Sequence, residues 1–224
     1  MVRFVVMAAG LATRMGKDKL ALPWRETTVL GNVLQMVLEA FEALEVQDKS
    51  PGDLSFHSKL IEIRVVARQP IETYLSEKDI NKFNACGGFW LQVPSPKPLA
   101  ETIRLGLLDL NSEVQMIGFL PGDQVGITVR DLEACLRHVI HNVPDFLVPI
   151  AGDKTGSPVF FHRRYVQELL GLREEQGGRE VLNRYPERWR KFPVRESSFQ
   201  DVDTPEEYQA LLSEILRNQT DGIR

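Results

Sequence analysis

The apolar run Phe4-Val5-Val6-Met7 leads directly into Ala8-Ala9-Gly10-Leu11-Ala12-Thr13-Arg14-Met15-Gly16-Lys17-Asp18-Lys19, so a buried strand is followed at once by a glycine-bearing turn with three cations. A strand that ends this way belongs inside a sheet, and its turn lies at the carboxyl end, where sheets flanked by helices bind their ligands. Ala8 and Ala9 let the main chain approach a ligand. Gly10 and Gly16 are read as supplying backbone angles that other residues avoid, which leaves N–H groups free to point at anionic oxygens. With Arg14, Lys17 and Lys19 on the same loop, the segment reads as a phosphate cradle.

Two common cradles are excluded by spacing. A P-loop needs four residues between its glycines and then Lys-Ser/Thr, whereas five residues separate Gly10 from Gly16 and Lys17 is followed by Asp18. The dinucleotide fingerprint needs a second glycine two residues after the first, and that position holds Ala12.

The remaining sequence favours small anionic ligands over polymers. The 224 residues are 43% hydrophobic and 26% charged, enough for a substantial core in one domain spanning residues 1–224. A net charge of −4 gives no general attraction for nucleic acid or acidic membranes. The two cysteines, Cys86 and Cys135, are not at zinc-ligand spacing, and His57, His138, His141 and His162 pair with no recognisable nucleophile. The apolar stretch at residues 4–12 is too short to span a bilayer and unlike a secretory signal, so a cytoplasmic protein is expected.

Apolar spacing at Val29, Val33, Met36, Val37, Ala40, Phe41 and Leu44 predicts a long amphipathic helix, and Ile61 to Ala67 a second strand, with a polar, turn-rich loop at 47–53 between them. Further along, Leu99 to Leu110 reads as a helix, Val114 to Leu120 as a strand, and Thr128 to His141 as a helix opened by a Thr128/Asp131 capping box. Phe146 to Ile150 reads as a strand, and Pro158 to Phe161 as another with its proline at the start or on an edge. A helix runs through Tyr165, Leu169 and Leu172, and the last begins near Pro205. This alternation indicates a parallel α/β sheet flanked by helices.

Three further constellations carry chemistry. Asp123, in Leu120-Pro121-Gly122-Asp123-Gln124, lies just past a predicted strand and suits magnesium, which one or two carboxylates hold together with substrate phosphates and water; the same residues also suit an ordinary Gly-Asp turn. Asp201-Val202-Asp203 puts two carboxylates on one face of an extended segment, and Thr204, Pro205 and Glu207 fit a helix start. Gly156-Ser157-Pro158-Val159 and Gly177-Gly178-Arg179 offer main-chain donors and one arginine to an acceptor substrate, although taken alone they are explained better by glycine turns and a decorated helix start.

The opening segment resembles the A-A-G-x-x-x-R-M-G-x-x-K signature of nucleotidylyltransferases, in particular the molybdenum cofactor cytidylyltransferase group of the MobA-like NTP transferase family. Ala8, Ala9, Gly10, Arg14, Met15, Gly16 and Lys19 match it position by position, and the likeness continues at Gly122-Asp123-Gln124, at Gly156 with Pro158-Val159, at Gly177-Gly178-Arg179 and at Asp201 to Glu206. Glu101 to Leu107 looks like the family's serine-bearing helix start by the nucleotide base, with Thr102 in place of the serine; Pro98 stands where a glycine is usual, Val125 where a proline is common and Ser157 where a histidine is frequent.

The resemblance implies a Rossmann-like three-layer nucleotidyltransferase fold, α/β with a mostly parallel central sheet. It implies Ala8, Ala9, Gly10, Arg14, Gly16, Lys19, Thr102 and Gly122 as nucleotide-binding residues, and Arg14, Lys19 and Asp123 as catalytic. Mg2+ would lie on Asp123 with Asp201 or Asp203, and the acceptor near Ser157, Gly178 and Arg179. Ala9 stands where guanine-selecting relatives carry glycine, which points to CTP. The implied acceptor is a molybdopterin-type cofactor, with a molybdenum hydroxylase as recipient of the product. The same first loop and Asp123 would equally serve a sugar-phosphate, polyol-phosphate or phospholactate nucleotidylyltransferase, or a non-catalytic protein that binds and passes on molybdenum cofactor.

Overall fold

A computed structural model of the chain describes residues 1–10, 18–47 and 60–221. Of the expected features, Arg14, Gly16 and Lys17 of the first loop and residues 48–53 of the polar loop lie outside these. In chain order the elements are β1 (Val2–Ala8), β2 (Pro23–Trp24), β3 (Thr27–Thr28), α1 (Val29–Gln47), β4 (Ile61–Ala67), α2 (Glu77–Ala85), β5 (Phe89–Gln92), α3 (Leu99–Gly106), β6 (Met116–Pro121) and α4 (Val129–Asn142). There follow β7 (Phe146–Ala151), β8 (Lys154–Thr155), β9 (Val159–His162), α5 (Val166–Leu170), α6 (Gly178–Leu182), β10 (Trp189–Pro193) and α7 (Pro205–Asp221).

The main sheet runs β5-β4-β1-β6-β9-β7-β10, with β8 paired to β7. β4 and β6 flank β1 in parallel, β5 is parallel to β4, and β10 is parallel to β7. β9 runs antiparallel between β6 and β7, and the short β8 is likewise antiparallel to β7. The short connection from β7 through β8 forces this reversal, because a parallel return requires a long crossover. Pro158 therefore precedes an internal strand, outside its hydrogen-bonded ladder, and not an edge.

β1 is apolar throughout because the sheet is covered on both sides. Val2, Phe4, Val6 and Ala8 pack in one cluster with α1 and α4, while Val5 and Ala9 pack in the other with α3, α5 and α6. Arg3 is the exception: only 2% exposed, it donates through Nε to Glu62 and through Nη1 and Nη2 to the carbonyls of Leu108 and Asp109. That arginine explains where α3 stops. The predicted helix through Leu110 ends at Gly106, since the chain turns through Asp109 at φ 51° and delivers its carbonyls to Arg3.

The predicted helix through Tyr165, Leu169 and Leu172 is shorter than expected: α5 spans Val166–Leu170, after a 3-10 turn at Arg163–Tyr165, and Leu172 lies past its end. Other predicted boundaries hold to within about two residues. β4 occupies the expected residues, and Thr128 caps α4 by accepting from the Asp131 N–H. α7 starts at Pro205, with Glu207 accepting from the Asp203 and Thr204 N–H groups and Thr204 Oγ1 accepting from the Glu207 N–H. Among the described residues, no helix is long and apolar enough to cross a membrane.

Candidate active site

The strand order reverses beside β1: the chain adds β4 and β5 on one side before returning to β6 on the other. Ligands bind at such switch points, outside the carboxyl ends of the strands. Here the ends are Ala8-Ala9-Gly10 after β1, Arg68 after β4 and Gly122-Asp123 after β6. The Gly122 N–H donates to the Met7 carbonyl, and a Cβ on Gly122 would lie 3.0 Å from Leu30 Cδ1 and 3.3 Å from Ala8 Cβ. Glycine thus fits a tight space at the turn that presents Asp123. Gly10 differs from expectation: its φ is outside the left-handed region, so it supplies no special angle there, and among the described residues a Cβ would meet nothing within 4 Å.

Lys19, Asp123 and Asp203 come together from three distant stretches. Lys19 Nζ lies 2.5 Å from Asp123 Oδ2 and 2.7 Å from Asp203 Oδ1. Burial draws the Lys19 ammonium down, but the Asp123 charge and then Asp203 outweigh it and hold the group above the ordinary lysine value. The terminal aspartates are pinned by the main chain. The Val202 N–H donates to the Asp123 carbonyl and the Gly126 N–H to the Gln200 carbonyl, while Val202 itself is fully buried. Asp201 and Asp203 flank that valine. Partial burial, then the like charges of Asp203 and Asp123, hold the Asp201 carboxyl above its ordinary value against the opposing pull of Lys19.

Among the described residues, no group of three His, Cys, Asp or Glu side chains converges as a ready-made metal cage. Asp123 and Asp203 nevertheless already share one cation, the Lys19 ammonium, so their oxygens are placed to hold a positive charge between them. Two carboxylates, completed by phosphate oxygens and water, suit a hard divalent cation.

A cavity of about 670 Å³ opens beside this cluster, within the range of small-molecule sites. Gly10, Thr102 and Asp123 line one part; Thr155, Gly156, Ser157, Gly178 and Arg179 line another. Phe119, Val148, Phe161 and Trp189 form apolar wall between them. Thr102 is 2% exposed and its hydroxyl donates to the Pro98 carbonyl, which leaves it acceptor capacity toward a ligand. Gly178 packs tightly, since a Cβ there would lie 2.7 Å from the Phe161 ring. Arg179 is exposed, with Nη2 3.4 Å from Thr155 Oγ1.

Gln124 ties these parts together. Buried at 4% exposure, its Nε2 donates at 2.7 Å both to the Ser157 carbonyl of the cavity wall and to the Ser198 carbonyl ahead of the terminal aspartates. Ser198 Oγ in turn donates to Asp131, whose carboxyl is raised by burial but held below its ordinary value by hydrogen bonds from Ser198, Thr128 and Arg195. Gln124→Ala strands the buried Ser198 carbonyl and the part-buried Ser157 carbonyl. It is expected to lower the free energy of unfolding by about 2–3 kcal/mol, read as a lower denaturant midpoint; an unchanged midpoint contradicts the clamp. Sequence reasoning placed Gln124 in a motif without this role, and it passed over Arg68 and Tyr74, which touch the neighbouring Asp18.

A family model described as the MobA-like NTP transferase domain matches residues 4–189. The chain belongs to the MobA-like NTP transferase family. The match spans the first loop, Asp123 and the cavity wall as far as Trp189, whereas the terminal aspartates lie past it and join the site by geometry. Among solved structures, the MobA-like chain is similar to Rv0371c from Mycobacterium tuberculosis (22% identity, 95% of this chain and 98% of that one, TM-score 0.69). It is similar to a nucleotidyl transferase from Methanothermobacter thermautotroptrophicus (18%, 97% and 99%, TM-score 0.64). It is also similar to molybdopterin-guanine dinucleotide biosynthesis protein A from Archaeoglobus fulgidus (16%, 93% and 95%, TM-score 0.53). These likenesses establish the nucleotidyltransferase fold, α/β with a mostly parallel sheet. No curated protein sequence matches the chain.

Proposed function

We propose that this chain, acting as one domain, is a metal-dependent cytidylyltransferase that moves CMP from CTP onto the phosphate of a molybdopterin-type cofactor and releases pyrophosphate. The observation that carries the reading is the convergence of Asp123 and Asp203 on one cation, Lys19, at the mouth of a cavity lined by the first-loop end, Thr102 and the Ser157–Arg179 wall. The choice of CTP rests on Ala9 and that of acceptor on the family resemblance. A solved structure of Rv0371c holds manganese, which fits a divalent ion in this fold.

An acceptor phosphate oxygen attacks the α-phosphorus of the triphosphate, a new P–O bond forms, and the bond to pyrophosphate breaks on the opposite side. The acceptor is already ionised near neutral pH, so the protein supplies alignment and charge rather than a nucleophile or strong base. Asp123, with Asp203 or Asp201 as second ligand, would hold magnesium, which would supply charge neutralisation on the phosphates. Lys19 and Arg14 neutralise the leaving pyrophosphate, Thr102 lies by the base, and Ser157, Gly178 and Arg179 face the acceptor.

Pyrophosphate release in magnesium, measured with CTP, GTP and ATP against molybdopterin-type cofactor, sugar phosphates, polyol phosphates and phospholactate, tests the reading. CTP with the molybdopterin acceptor is expected to give the largest kcat/KM. Turnover with another acceptor reassigns the substrate, and tight cofactor binding without pyrophosphate release from any pair identifies an accessory protein.

A further inference from the structure

Asp18 precedes Lys19, and three side-chain or main-chain donors converge on its carboxylate. Oδ1 accepts from the Leu20 N–H at 3.2 Å and lies 3.2 Å from Arg68 Nη2; Oδ2 accepts from the Tyr74 hydroxyl at 2.9 Å. The first contact caps the single 3-10 turn Lys19–Ala21, which the Ala21 N–H closes on the Asp18 carbonyl. The other two come from separate parts of the fold. Arg68 leaves the end of β4, whose Ala67 is level with Ala8 of β1. Tyr74 is 2% exposed, packs on Trp90 and accepts through its carbonyl from Thr28 Oγ1.

Among the described residues, the buried Arg68 Nε has no hydrogen-bond partner. A fold carries an unsatisfied buried donor only against a compensating gain, and the gain visible here is the guanidinium's hold on Asp18. Burial, then the Asp18 charge, push the Tyr74 phenol well above its ordinary value, so it remains a hydrogen-bond donor.

We infer that Arg68 and Tyr74 are positioning residues: by clamping the Asp18 carboxylate they fix the turn that aims Lys19 Nζ at the oxygens shared by Asp123 and Asp203. Neither contacts that carboxylate pair; they act through Asp18 and the backbone of Lys19. The inference rests on the proposed role of Lys19 in gripping the triphosphate, and its geometric half stands without any nucleotide.

The test uses the full chain with Arg68→Gln, Arg68→Lys and Tyr74→Phe. Acetic anhydride labelling of Lys19, read by mass spectrometry against exposed Lys154 as internal reference, needs no substrate. Labelling of Lys19 is expected to rise severalfold in Arg68→Gln, to rise less in Tyr74→Phe and to return toward the wild-type rate in Arg68→Lys. In calorimetric CTP binding with magnesium, Arg68→Gln is expected to weaken affinity about tenfold in the wild-type background and to cost nothing further beside Lys19→Ala, because it acts through that lysine. Unchanged Lys19 labelling in both Arg68→Gln and Tyr74→Phe, or an undiminished loss in the Lys19→Ala background, overturns the inference. A wild-type protein that binds no CTP contradicts the proposed function instead, and the labelling still decides this point.

Discussion

Asp123→Asn is expected to lower metal-dependent nucleotidyl transfer by more than about a hundredfold while leaving a folded protein. Asparagine keeps the volume and one acceptor oxygen but removes the charge that faces both Lys19 and the proposed metal. Lys19 retains Asp203 at 2.7 Å, so no buried charge is left alone. The change in stability is therefore expected to stay within about 1 kcal/mol. Turnover measured alongside a denaturant midpoint separates the two effects. Normal kcat with an unchanged midpoint removes Asp123 from the catalytic assignment.

Lys19→Ala is expected to act in opposite directions on two ligands. Lys19 Nζ and a divalent ion would contact the same Asp123 and Asp203 oxygens, so the wild-type ammonium competes with metal when no nucleotide is present. Removing it leaves two carboxylates facing each other, and unit charges about 4 Å apart repel by on the order of 4 kcal/mol at an effective dielectric near 20. A metal ion relieves that repulsion. Manganese bound alone is thus expected to tighten by roughly tenfold, equivalent to about 1.4 kcal/mol. Nucleotide transfer falls by about a hundredfold for want of charge on the leaving pyrophosphate. Electron paramagnetic resonance titration of manganese reads the first effect and steady-state kinetics the second. Weaker manganese binding in the variant shows that Lys19 organises the carboxylates rather than competing for them.

The elements that carry strong local signals were legible in the sequence. β1 and β4 are mostly apolar segments buried along most of their length, α1 repeats its apolar stripe over more than four turns, and the starts of α4 and α7 are written in capping residues. What stayed hidden depends on contacts far apart in the chain. β5 and β10 are short strands on the two sheet edges, with too few buried positions to impose a period. α2 buries only Phe83, and α6 is held by packing of Gly177 on Leu99 and Gly178 on Phe161. The early end of α3 follows from Arg3, over a hundred residues away.

The same division applies to the site. Asp123 and the Asp201/Asp203 pair stood out because acids beyond a strand end and on one face of an extended segment have a recognisable chemistry. That Asp203 meets Lys19 is a consequence of the pairing of 200–202 with the Asp123 turn, which no local pattern encodes. Gln124, Arg68 and Tyr74 are invisible for the same reason: each matters through partners that the fold brings from distant parts of the chain. Gly10 shows the converse, since a glycine in a motif suggested an unusual backbone angle that the strand end does not adopt.

The most direct test of the account is a crystal structure with CTP and manganese, with the metal located by anomalous scattering. The account predicts a manganese peak bound by Asp123 and Asp203 together with triphosphate oxygens, the base beside Thr102, and Lys19 Nζ moved from the carboxylates onto the phosphates. A metal and triphosphate located away from Asp123, with Lys19 still seated between the two aspartates, contradicts it.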